Sequence, residues 1–515
     1  MIGTPTKLAS VTWHLGRRKP EVESALAAGR AQIDLKGWEA FRRHLRAHAG
    51  DAPDFNPSRS QLQLGDAGGV AFVPPHLARR AAVLRLASPG PRRELRVCTS
   101  LAPDALRAAL AGLGDLRSAV AWIPKGDALR RELAAALGFG RIEELGDDAP
   151  PAPLLTPAAW ELAALQGFDG ARMRLALHEA TTELRAADAP AEGDPAALAA
   201  LALGLANRGA VNWIAAAPPE LQPLLEWLES AAAQLPERAG FSLLAAAALE
   251  EPGRYPDDRW CANYLVAPAP GAAASDPVAA EHAHRARRLI GAGVPLVQFE
   301  LPSMDALAGE LVRWTWFFSL AWGAPEAAQK GATVGSAPAV READLREGPL
   351  ALRAATATHA FMLRKVAGTL GAKAESSVPA WLAAQAAMGE PGEHLSLHWL
   401  GLPTGEARQT MREAQRAMSG PNQIAVRSSF SLPEMPASDS AQALAGASSR
   451  GLFFLLSDGG GAELCGSRRA ALAAEDRTFA QLAQAGRRAI LLRAEDGDAS
   501  KLASALRAAE ALLTP

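Results

Sequence analysis

The sequence predicts an α/β protein made of two unequal halves, each a mostly parallel sheet covered by helices. Three observations carry this prediction. Short apolar runs bounded by Gly, Pro and polar turns alternate with longer helical patterns, as in strands joined through crossover helices. At 515 residues the chain exceeds one ordinary domain. Pro-rich breaks at 146–160 and 186–196 interrupt the alternation, which then resumes.

The elements follow in order. Residues 1–50, and 19–49 above all, read as helical, with Leu and Ala on one face and Arg and Glu on the other. DAPDFNPSRS (51–60) is a polar break. QLQLGDAGGVAFVPPHLARRAAVLRLA is a Gly-rich turn entering a helix, ELRVCTS a short strand, and SLAPDALRAALAGLG a helix with Asp104 near its start. SAVAWIPKGDALRREL (118–133) is strand, turn and helix. After the breaks, AALAALALGLANRGAVNWIAAAPPELQPLLEWLESAAAQ reads helix, turn, strand, turn, helix. GVPLVQFELP (293–302) is a strand, and SMDALAGELVRWTWFFSLAWG is the helix after it. The Ala-rich stretch 341–389 reads as helices with loops between them, since Ala is the best helix former. EHLSLHWLGLP (393–403), NQIAVRSSFSLP (422–433), RGLFFLLSDG (450–459) and RRAILLRAE (487–495) complete the strands, and SKLASALRAAEALL is the last helix. The expected segments are an N-terminal helical segment (1–55), a first domain (56–190), a second domain with helical insertions (191–495) and a C-terminal helix (496–515).

Composition excludes several classes. Hydrophobic residues at 49% and charged residues at 21% suit a globular protein with substantial cores. A formal net charge of -2 argues against a nucleic-acid binder. The three cysteines, Cys98, Cys261 and Cys465, are far apart and odd in number, which favours a reducing compartment and gives no zinc spacing. The N-terminus lacks a signal-type apolar core, and no run approaches ~18 apolar residues, so no membrane partner and a cytoplasmic location are expected. GxSxG, HExxH, Walker A and GxGxxG motifs are absent from the sequence. His394 and His398 share one strand face without a third ligand, and read as packed or surface histidines. His282 and His284 lie in an Arg-rich helix and read as solvated.

Several segments in order resemble the phosphoglucose isomerase family, particularly the isomerase half of transaldolase–phosphoglucose isomerase fusions. GGVAFVPPHL (68–77) resembles their GGSSLAPEVL-type turn, and LRVCTSLAPDAL (95–106) their following strand and helix. The IPKGDA turn falls where they carry an SKSGTT-type turn. GRYPDDRW (253–260) resembles their YGDDRLF segment. GVPLVQFELPSMDALAGELVRWTWFFSLA resembles the strand and helix before their Asn-Pro-Phe-Asp-Gln segment. SRRAALAAEDRTFAQLAQAGRRAILLRA resembles their closing helix and final strand. The likeness spans roughly residues 60–515. It implies two sugar-isomerase-type (SIS) domains, each a parallel sheet sandwiched by helices. It further implies an interdomain site completed by a partner subunit, hence a homo- or hetero-oligomer, and aldose–ketose isomerisation of a sugar phosphate without metal or organic cofactor.

That chemistry needs N–H groups and hydroxyls around a phosphate at a helix start. It also needs a carboxylate base and cations to stabilise enediolate-like charge. Residue by residue, much of this is replaced. The family's two serines in the first turn, beside Gly68 and Gly69, fall on Val70 and Ala71. Its hydroxyl turn falls on Ile123-Pro124-Lys125-Gly126-Asp127-Ala128, where Pro124 has no N–H and Asp127 competes with an anion. Gly126 and Asp127 read as a turn and a helix cap, with Lys125 the one residue able to attract an anion. The family's base falls at Ala247, in AAAALEEP; Glu250 and Glu251 are its nearest carboxylates, and the plainer reading is a helix ending at Pro252. In the segment where the family carries two histidines and a lysine, Gln442 and the glycines at 446 and 451 persist and Arg450 is new. Lys330 matches the lysine that ends the shortened NPFDQ-type segment.

The expectation is therefore an isomerase-like protein that has lost catalysis and acts as an interaction, regulatory or sugar-phosphate-binding protein. The alternative is an active glucose-6-phosphate/fructose-6-phosphate isomerase with Glu250 or Glu251 as base and Lys330 or Arg450 on the anion. A third reading places another ligand in a cleft lined by Trp122, Trp213, Trp314 and Trp322. The apolar run LVRWTWFFSLAW (311–322) is buried core or an interface.

Overall fold

The computed structural model describes residues 10–14, 69–87, 95–99, 103–111, 113, 115–146, 156–186, 211–233, 241–246, 249, 260–266, 277–294, 296–301, 304–311, 313–314, 341–356, 377–387, 394–401, 404–419, 425–430, 451–459, 468–484 and 488–513. The expected boundaries at 55/56 and 190/191 lie outside these residues. The chain divides into two compact units, one of residues 1–201, 215–234 and 247–323, the other of residues 202–214, 235–246 and 324–515.

The first described element is strand β1 (Ser10–His14). Helix was expected across this region, but Ser10–Glu300 through His14–Leu296 pair antiparallel with a later strand. Val, Thr and Trp in SVTWH suit a sheet, and pairing supplies backbone bonds that a helix would otherwise provide.

A four-stranded parallel sheet follows: β2 (Gly69–Phe72), β3 (Leu95–Cys98), β4 (Val120–Ile123) and β5 (Arg141–Glu144), in the order β3-β2-β4-β5. Its central strands β2 and β4 are buried at every residue, hence their unbroken apolar sequences. The edge strand β5 carries charge instead, with Arg141 donating to Glu143 at 2.6 Å. Helices α1 (Pro75–Ala87), α2 (Pro103–Leu110) and α3 (Ala128–Ala136) make the connections. Val70, Phe72, Ala121 and Ile123 pack with Leu106 and Leu110 of α2 and Leu133 and Ala134 of α3. Right-handed crossovers place α1 on the opposite face. Phe72 meets Phe139 edge-on, with ring centroids 5.7 Å apart.

Helices α4 (Pro157–Leu165) and α5 (Gly170–Ala186) come next, and Thr156 caps α4 by accepting from the Ala159 N–H. A five-stranded sheet then assembles from β6 (Val211–Ala216), β7 (Phe241–Ala246), β8 (Trp260–Val266) and β9 (Leu296–Glu300), in the order β1-β9-β8-β6-β7. Helices α6 (Gln222–Ala233) and α7 (Pro277–Gly291) lie between these strands in sequence. The helix expected in AAAALEEP (245–252) is contradicted at its first two residues, since Ala245 and Ala246 end the strand Phe241–Ala246. Helix preference is only a few tenths of a kcal/mol per residue, about what one sheet contact overrides. On α7, His284 is exposed but His282 is buried, against the expectation of two solvated histidines. His282 shares the helix face of Ala286 and Leu289, which join Leu296 and Ala216 in a core.

The second unit carries a six-stranded sheet of β10 (Arg341–Glu347), β11 (Leu350–Thr356), β12 (His394–Trp399), β13 (Ala425–Phe430), β14 (Gly451–Ser457) and β15 (Arg488–Ala494), in the order β10-β11-β15-β14-β12-β13. The last four strands in that order are parallel. The sheet is mixed rather than purely parallel, because β10 and β11 form an antiparallel hairpin on its edge. Helices had been expected for 341–356. The hairpin turns at Gly348-Pro349, with Gly348 at φ +59°, a first-position glycine that a tight two-residue turn requires. Helices α8 (Val378–Ala387), α9 (Gly405–Ser419), α10 (Arg468–Gln484) and α11 (Ala499–Leu513) complete the unit. Phe453, Leu455 and Leu491 of the sheet pack on Phe479 and Leu482 of α10. Among the described residues no helix is long and apolar enough to cross a membrane.

Candidate functional site

The four-stranded sheet and the parallel part of the six-stranded sheet wind in the same way, in an order that β6–β9 of the five-stranded sheet also follow. In chain order, the four strands of each lie second, first, third, fourth. The chain leaves the first strand in one direction and returns past it to the third. Between those two strands, at their carboxyl ends, an open α/β sheet forms the crevice where ligands bind. In the first sheet this is the end of β2 and β4. In the second it is the end of β12 and β14.

At the first crevice, β4 ends at Ile123 and α3 begins at Ala128. The turn between them is Pro124-Lys125-Gly126-Asp127. Gly126 takes φ +79°, which reverses the chain. Asp127 caps α3: its Oδ1 accepts from the Arg130 N–H at 3.0 Å. Its Oδ2 accepts from the Arg130 guanidinium at 2.5 Å. The helix start that would receive a phosphate already holds a carboxylate, and that carboxylate has its own cation. Lys125 sits exposed in the same turn. On the other side, α1 begins at Pro75 after Val73-Pro74, and the two prolines there remove two N–H donors.

At the second crevice, β14 ends at Ser457, fully buried. The Ser457 hydroxyl donates to Glu475 Oε1 of α10 at 2.6 Å and accepts the Gly459 N–H at 2.9 Å. Glu475 Oε2 accepts from Arg493 Nε of β15 at 2.8 Å. The same guanidinium reaches Asp476 at 3.1 Å, which also accepts from Arg353 of β11 at 3.0 Å. Burial pushes the Glu475 carboxyl above the usual carboxylate range, opposed by the Ser457 hydrogen bond and the Arg493 charge. Here too the polar groups beside the crevice are engaged with one another.

Of the residues singled out in sequence, Gly69, Lys125 and Gly126 lie among the described residues. Gly69 opens β2, paired with Leu95 and Val120, and so is a strand residue rather than a turn residue. It sits at the amino end of the sheet, whereas Lys125 and Gly126 lie at the carboxyl end. Gly68, Glu250, Glu251, Lys330, Gln442 and Arg450 lie outside the described residues. Trp122 and Trp314 are buried core side chains, as is Leu311. Trp322 falls outside the described residues, as does the side chain of Trp213. His398 is buried and stacks on Phe453 at 6.3 Å between ring centroids.

The Ser457–Glu475–Arg493 cluster escaped the sequence reading. One signal was available: the adjacent acids Glu475 and Asp476 interrupt an otherwise Ala-rich, core-facing helix, and a buried charge of this kind needs a partner.

Fold and site together define an open α/β protein in which the crevices of the four-stranded and six-stranded sheets are edged by the chain's own ion pairs. No family model and no curated protein matches the sequence. Among solved structures, the chain is similar to a hypothetical protein of Thermus thermophilus, at 16% identity and a TM-score of 0.44, covering 61% of this chain and 94% of that one. It is also similar to a glucose-6-phosphate isomerase of Chlamydia trachomatis, at 11% identity and a TM-score of 0.33, covering 55% of this chain and 70% of that one.

Proposed function

We propose that this chain is a phosphoglucose-isomerase-like protein, built of two sugar-isomerase-type domains, that has lost catalysis. It acts as an interaction, regulatory or sugar-phosphate-binding protein, as a cytoplasmic homo- or hetero-oligomer. One observation carries the reading. The helix start after β4 is filled by Asp127, which bonds both the Arg130 N–H and its guanidinium. A phosphate approaching it would meet a like charge and compete with an intramolecular cation. The absence of hydroxyl side chains from residues 123–128 supports the same reading.

A coupled assay from fructose 6-phosphate to glucose 6-phosphate tests it, with no turnover expected. Thermal protection by either sugar phosphate would select the binding role over the interaction role. Turnover abolished by Lys330→Ala would instead establish an active isomerase and sink the proposal.

A further inference from the structure

The six-stranded sheet ends in β10, and among the described residues no strand lies beyond it. The hairpin shows which of its backbone groups face outward. The Glu495 N–H donates to the Pro349 carbonyl at 2.8 Å, so the odd-numbered residues of β11 turn their backbone groups toward β15. The even-numbered ones then face β10, where Leu350 pairs with Glu347 and Leu352 with Leu345. By the same alternation, the backbone N–H and C=O groups of Glu342, Asp344 and Arg346 point away from the sheet.

Such an edge is a template for another strand, and charge along it normally keeps strands away. In β10 the charges have a particular order, Arg-Glu-Ala-Asp-Leu-Arg-Glu. Laid antiparallel on a second copy about Asp344, the strand sets Arg341 opposite Glu347 and Glu342 opposite Arg346, each pair occurring twice by symmetry. Ala343 stands opposite Leu345. The like-charge pair is Asp344 on the axis, with Arg346 of each strand on its diagonal. The same register brings the outward backbone groups together: Asp344 exchanges bonds with its copy, and Glu342 with Arg346. A shift of two residues one way would set Glu342 against Asp344. A shift the other way would leave Arg341 and Glu342 opposite the Gly348-Pro349 turn. Arg346 and Glu347 are exposed, and the 3.4 Å pair of Arg346 with Glu495 is an open surface contact that contributes little.

We infer that β10 is the interface through which two copies of this chain pair, their six-stranded sheets meeting at an antiparallel seam. This gives the oligomer of the proposed function a surface, and it stands whether or not catalysis is lost.

Sedimentation equilibrium of the full chain tests it, with a dimer expected. Arg346→Glu and Glu342→Arg each set like charges opposite one another at both symmetry-related positions, and each should weaken the dimer by at least about tenfold. The double variant restores opposite charges and should recover the native affinity. Asp344→Pro removes an N–H that the β10–β11 ladder does not use, so it should give a monomer with a native circular dichroism spectrum. A native chain still monomeric at about 100 μM would overturn the inference. So would a dimer indifferent to both charge variants or to Asp344→Pro, or a loss that the double variant fails to recover.

Discussion

Replacing Arg493 by Met isolates the charge cluster of the second unit. Met keeps an apolar stem in place of the arginine stem, so the change removes chiefly the guanidinium. Two hydrogen bonds to carboxylates are lost, each of a kind worth about 1.5–3 kcal/mol. The bond to Asp476 counts for little, since Asp476 is 45% exposed and Arg353 still serves it. Glu475 is the larger matter. At 5% exposure it keeps only Ser457, and a buried carboxylate stripped of its cation costs about 3–5 kcal/mol. With a slope of about 2–3 kcal/mol per molar urea, the midpoint of the second unit should fall by about 1–2 M. The pH dependence fixes the cause. The Glu475 pKa is raised by burial, so its favourable contribution is complete below the unfolded pKa and is lost as pH rises through the folded one. Removing Arg493 raises that folded pKa further. The loss should therefore be larger at pH 8 than at pH 5. Urea unfolding followed by tryptophan fluorescence at both values measures it. An equal loss at the two pH values, or a loss below about 1 kcal/mol, would refute the account. Glu475→Gln should cost less, because the amide still accepts from Ser457 or Arg493 and the Arg493 guanidinium keeps Asp476 as its counter-ion.

Asp127→Ala should lower stability by about 1 kcal/mol through loss of the α3 cap, read from the thermal midpoint. Asp127→Ser keeps a capping oxygen and releases Arg130. Millimolar inorganic phosphate should then raise the melting temperature of the variant and not of the native chain, as differential scanning fluorimetry would show. Gly126→Ala should cost about 1–2 kcal/mol, since φ is +79° and nothing lies within 4 Å of the new Cβ. Gly140→Ala should cost more, about 3 kcal/mol, because its Cβ would collide with the Arg117 carbonyl oxygen and the backbone must move. Urea midpoints of the two alanine variants compare them directly, and the reverse order would contradict the geometry.

The central parallel strands were legible because they are buried on both faces, whereas the charged edge strand β5 was not. VAWI in β4 and LFFLL in β14 are apolar from end to end, and nothing else of that length needs to be. The α3 cap was legible too, since Asp127 acts on an N–H three residues away. Such features depend on neighbours along the chain. Residues 10–14 and 350–356 read locally as helix because strand partners that hold them are distant in sequence: β1 pairs with residues 296–300, and β11 with residues 489–494. The Ala content of β11 speaks only to local propensity. The order of strands, and with it the position of each crevice, follows from the path of the crossovers and is written in no single segment. Nor is the pairing of Ser457, Glu475 and Arg493, which lie 18 residues apart in two steps and meet only because α10 lies across the sheet. By itself the sequence determined the α/β class, the apolar central strands and the missing hydroxyls of the IPKGDA turn. The tertiary structure decided which edges pair and which charges meet, because both turn on long-range contacts whose energies outweigh local preference.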